Sequence, residues 1–160
     1  MTFTRRAVIA AAFVTAMGAL PAFAETVVDV SLWDKGADAA MPTGLGYALG
    51  GDATLATMGI TATPADAPAG VVTFSVTNTS KDTIHEMVLA LIATPGTPLI
   101  YDSNLEKVNE DAGQHLGEVA ELEPGAAGKL SLTLKPGTYI LYCNIPGHYV
   151  AGMWTLFTVK

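Results

Sequence analysis

Short runs of alternating apolar and polar residues dominate the chain after residue 24. Val72, Phe74 and Val76 fall on one face of an extended segment and Val71, Thr73, Ser75 and Thr77 on the other, while Leu130, Leu132 and Leu134 alternate with Ser131 and Thr133. A period of two marks a half-buried strand. The pattern predicts strands over Val27–Trp33, Gly59–Thr63, Val71–Asn78, Ile84–Ala93, His115–Leu122, Lys129–Leu134, Thr138–Cys143 and Thr155–Val159. Gly, Pro, Asn and Ser clusters punctuate them, at Pro68-Ala69-Gly70, Asn78-Thr79-Ser80, Pro95-Gly96, Pro124-Gly125 and Pro136-Gly137. Short strands at this spacing predict an all-β chain folded as a Greek-key β-sandwich. Two stretches are irregular. Residues 34–58 are rich in Gly and Ala and read as an insertion with a short helical turn, and Tyr101–Gly113 is polar and acidic with room for another such turn.

The first 24 residues have a different character. Arg5 and Arg6 precede the apolar run Ala7–Leu20, and Pro21 and Ala22-Phe23-Ala24 complete an export-signal pattern with cleavage expected after Ala24. The run is short for a bilayer span, so no stable membrane insertion is expected once the signal is removed; an uncleaved, tethered form is the alternative. Thr4-Arg5-Arg6 is too commonplace to decide between export routes. Residues 25–160 are then a single domain, large enough for a real core.

Removing the signal takes both arginines, leaving six lysines against fifteen acidic residues, −9 in place of the −7 of the whole chain. Nothing in that balance would neutralise phosphate, so nucleic acid is excluded as a partner. An acidic surface suits a basic protein partner and speeds encounter at low salt, and it also serves solubility alone. Cys143 is the single cysteine. An exported chain meets oxidising conditions, where a lone exposed thiol is a liability and a buried or metal-bound one is not.

Cys143 opens the segment that carries chemistry, Cys-Asn-Ile-Pro-Gly-His-Tyr-Val-Ala-Gly-Met, ending at Met153. It sets a thiolate, the imidazole of His148 and a thioether in one tight loop, with four residues in each gap. Pro146-Gly147 turns the chain before His148, and Gly152 gives freedom before Met153. A second imidazole must come from elsewhere. His85 opens the apolar strand His-Glu-Met-Val-Leu-Ala-Leu-Ile, whereas its rival His115 sits in a polar loop entering a strand. Two His, one Cys and a weak axial Met form the donor set of an electron-transfer copper site. Set against this, Cys143 and Met153 also suit ordinary core positions, and His85 a satisfied polar one. Met41, Met58 and Met87 are scattered and read as packing residues, and the acidic pairs Glu110-Asp111 and Glu121/Glu123 as solvated.

The run from Gly137 to Met153 resembles the C-terminal ligand loop of the cupredoxins, the type 1 blue copper proteins. Its four-and-four spacing is similar to rusticyanin- and sulfocyanin-like members and longer between Cys and His than in plastocyanin-like ones. The resemblance implies a sandwich with one Cu(I)/Cu(II) ion at one end, held by His85, Cys143, His148 and Met153. It further implies a monomeric, periplasmic or otherwise exported carrier of single electrons, not an enzyme, working with a redox protein; the acidic balance suits a basic one such as a c-type cytochrome. The competing expectation is a periplasmic copper-handling protein that sequesters or delivers the metal. A multicopper enzyme would need more histidines and further domains. Two departures stand out: Glu86 follows His85 where many cupredoxins carry Asn, and Trp154-Thr155 follows Met153 where a glycine is common. An ionised Glu86 cannot donate the hydrogen bonds of an amide.

Overall fold

The structure, a computed structural model, describes residues 25–112 and 114–160. The expected export signal lies outside them. Eleven strands are present in the described residues: β1 Thr26–Asp34, β2 Met58–Thr63, β3 Asp66–Ala67, β4 Gly70–Asn78, β5 His85–Leu91, β6 Tyr101–Asp102, β7 Lys107–Val108, β8 His115–Leu122, β9 Ala127–Leu134, β10 Gly137–Tyr142 and β11 Trp154–Val159. One sheet runs β2-β1-β4-β9 and faces a second, β3-β11-β10-β5-β8. The chain changes sheet on either side of the short β3, between β4 and β5, between β8 and β9 and again between β9 and β10, as in a Greek-key sandwich.

The alternation in the sequence explains the layers. On β4, Val72, Phe74 and Val76 are fully buried between the sheets, while Val71 points outward. Phe74 meets Phe157 of the opposite sheet edge-on, with ring centroids 5.2 Å apart, which locks the two layers together. β5 breaks the alternation because both of its faces are covered. Met87 and Leu89 join the core between the sheets, and Val88 and Ala90 join a second cluster on the outer face with Ile140, Tyr142 and Tyr149. Such double burial is why its sequence reads as a continuous apolar run.

Within the stretch that had room for a helical turn, residues 101–108 form a hairpin. β6 pairs antiparallel with β7, Tyr101 opposite Val108 and Asp102 opposite Lys107. Asp102 Oδ1 accepts the N–H groups of Asn104 and Leu105, an Asx turn that competes with helix, and Glu106 adopts φ 53°. Between β1 and β2 the chain makes one 3-10 turn, Ala53–Leu55, capped by Asp52. This connection packs back on the sandwich through Trp154, whose Nε1–H donates to the Leu45 carbonyl at 2.7 Å and whose ring meets Tyr47 edge-on. Trp154→Phe removes that bond while keeping the aromatic contact. The expected cost is about 1 kcal/mol in chemical denaturation, with faster proteolysis between residues 35 and 57.

Candidate metal centre

One end of the sandwich gathers the end of β1, the start of β5 and the loop joining β10 to β11. Cys143 N–H donates to the Met153 carbonyl at 3.0 Å, extending the β10–β11 ladder one step beyond the Tyr142–Trp154 pair. Cys143 and Met153 thus face each other across the neck of the loop, and residues opposite one another in a ladder present their side chains to the same face. Both are fully buried. Inside the neck the chain winds through tight turns: His148 N–H donates to Ile145 O, Ala151 N–H to Gly147 O and Met153 N–H to His148 O, all between 3.0 and 3.1 Å. Gly147 and Gly152 take φ 80° and 100°, a left-handed region that strains other residues, and a Cβ on Gly152 would stand 2.9 Å from that of Ala56.

These turns bring His148 back over Cys143, with 3.3 Å between Sγ and Nδ1. His85 enters from β5 with its Nδ1 3.3 Å from Nδ1 of His148. The three donor atoms lie within 4.8 Å of one another, and all three residues are buried. His115 lies elsewhere, partly exposed at the start of β8 beside Glu118. Met58 and exposed Met41 border a depression on the mouth of the site together with Ile84, Ile145 and His148, whereas Met87 is a core residue.

The protonation states favour a cation at the meeting point. Burial holds the His148 imidazole down to about 4, with His85 beside it acting in the same direction. Burial also lowers His85, against the pull of Asp34. Both rings are therefore neutral near pH 7 and offer lone pairs, the form that ligates metals. Burial pushes the Cys143 thiol up to about 12, opposed by the N–H groups of Glu86 and Ile145. An isolated thiolate is disfavoured there, and a metal ion supplies the charge that stabilises it. Two nitrogens each about 2 Å from a shared metal at a tetrahedral angle stand about 3.3 Å apart. The observed spacings fit that arrangement.

Several partners of the donors have no signature in the sequence. Asp34, at the end of β1, accepts the Nε2–H of His85 at 2.7 Å, and both side chains are buried, at 0% and 5% exposure. Asn144 ties the loop to the hairpin: its Oδ1 accepts Val108 N–H at 2.6 Å, and its Nδ2 donates to Val108 O and Glu110. Gly147 N–H adds a bond to Glu106 O. Glu86 is buried with its own N–H directed at Cys143 Sγ, 3.5 Å away. Burial raises its carboxyl to about 7; Lys107 and the Asn144 N–H work against the rise, and Glu118 and Glu110 add to it.

No family model matches the chain, and no curated protein matches it. Solved structures do. Rusticyanin from Thiobacillus ferrooxidans aligns over 85% of this chain and 77% of its own at 17% identity, with a TM-score of 0.53. Auracyanin B aligns over 84% of this chain and 88% of its own at 24% identity, with a TM-score of 0.52. At such identities the likeness concerns the fold, and the fold of this chain is that of the cupredoxins.

Proposed function

We propose that this chain holds a single copper ion and passes single electrons between redox proteins in an exported compartment. The observation that carries this reading is the convergence of Cys143 Sγ with Nδ1 of His148 and His85, all three residues buried. When bound, copper supplies a one-electron couple whose two states suit this mixture of soft sulfur and imidazole donors. The protein's part is to fix the donors. The ladder holds Cys143 opposite Met153, the turns hold His148, and the start of β5 holds His85. Donors held by backbone hydrogen bonds change position little between oxidation states, which keeps reorganisation small. With Met153 as fourth donor no position is open to a substrate, which argues for a carrier and against an enzyme.

His148 reaches the border of the depression formed by Met41, Ile84 and Ile145, an apolar rim where a partner can approach its ring. The acidic balance of the chain outside the signal favours a basic partner, and exchange with a basic c-type cytochrome is expected to slow as salt rises. The pattern of residues 1–24 is what supports export.

The test is to add Cu(II) to the purified metal-free protein. One equivalent is expected to give an intense visible thiolate-to-copper band that a reductant bleaches and an oxidant restores. A colourless protein removes the copper reading. Slow electron exchange, together with copper sensitivity of cells lacking the protein, would favour copper handling instead.

A further inference from the structure

Asp34 is a carboxylate built into the centre without being a ligand. Its Oδ2 accepts the His85 Nε2–H at 2.7 Å, and its Oδ1 accepts the Gly36 N–H at 2.7 Å. Ser80 helps to keep the carboxylate ionised. Two donors, one from β5 and one from the turn that follows β1, thus fix the carboxylate. Lys35, the adjacent cation, is turned away, its Nζ donating to the Ala56 carbonyl at 3.0 Å. Among the described residues no lysine or arginine pairs with the carboxylate, which lies one imidazole's width from the point where the donor atoms meet.

We propose, building on the copper reading above, that Asp34 is a charged positioning residue. It fixes His85 with Nδ1 as its free lone pair and holds the centre toward Cu(II). Two physical effects act together. An N–H donated to a carboxylate makes the far nitrogen of the ring a stronger donor. A buried negative charge close by also favours the more positive oxidation state, and low local dielectric strengthens this.

Asp34→Asn separates charge from geometry, because the amide oxygen still accepts the Nε2–H. The variant is expected to keep its visible band and one bound copper. At a fixed applied potential its Cu(I)/Cu(II) ratio should rise tenfold or more, and tenfold is 59 mV for a one-electron couple. A purely structural Asp34 would change stability and leave the ratio within twofold, and that result overturns the proposal. The wild-type Cu(I) protein gives a reading that needs no variant. Its nitrogen NMR spectrum should show His85 protonated at Nε2, with a slowly exchanging, strongly hydrogen-bonded proton. A deprotonated Nε2, or a proton exchanging as fast as in free imidazole, overturns the proposal even where the variant does not fold. Failure is also separable from failure of the copper reading. A wild type without the band removes both, whereas a coloured wild type whose Asn variant keeps the same ratio removes this one alone.

Discussion

Cys143→Ser is expected to abolish the intense visible band that the copper reading assigns to the loaded protein, and to weaken copper retention by more than about a hundredfold, the upper end of what disturbing a ligand's partners costs. The band needs a thiolate on the metal. Among the clustered donors Cys143 Sγ is the one sulfur that a metal can hold as a thiolate, with Nδ1 of His148 3.3 Å away. A serine hydroxyl is harder and shorter, and it does not ionise near neutral pH. The substitution spares the scaffold, because the bond from residue 143 N–H to Met153 O belongs to the backbone. The metal-free variant should therefore match the circular dichroism of the metal-free wild type. As a control, His115→Ala should leave the band untouched, since His115 lies beside Glu118 and away from the cluster. A band that survives Cys143→Ser, or disappears with His115→Ala, would sink the assignment of donors.

The strands were legible in the sequence wherever one face is buried, because a period of two survives only under that constraint. β8 matches its expected span, His115–Leu122, and the other long strands differ by one or two residues at their ends. The two-residue strands β3, β6 and β7 escaped notice because pairs of residues carry no period. Cys143, His148 and Met153 could be read together because they share one loop, so their spacing is itself a signal. Asp34 could not. It meets His85 across 51 residues and from the other sheet, and nothing around it distinguishes it from the acidic residues that face water. Asn144 was hidden for the same reason, since its contacts with Val108 span 36 residues. Local pattern therefore revealed the candidate donors, and only the packing of the sandwich revealed what orients them.

Glu86 was conspicuous from its place beside His85, and its surroundings set the second large effect. Its carboxyl is buried near Glu110 and Glu118, with Lys107 as the opposing cation, and titrates near 7 against an ordinary value of 4.5. In the metal-free protein the unfolded chain releases this proton near pH 4.5 while the folded chain keeps it until about pH 7. The folded pKa is the raised one, so stability from this residue is full below 4.5 and is lost as pH climbs to 7. Glu86→Gln carries no such charge and nearly keeps the size and shape of the side chain. The variant should equal the wild type near pH 4 and exceed it by up to about 3 kcal/mol above pH 7. Urea unfolding at both pH values, with a chelator present, measures the difference. A gap that does not change with pH, or a variant less stable at pH 7.5, contradicts the expectation. Glu86→Ala separates charge from packing. It removes the charge but also empties the space that the buried side chain fills. At high pH it should therefore gain less than Gln, by about 1 kcal/mol for the lost packing. Equal gains for the two variants would mean that the carboxyl matters through its charge alone.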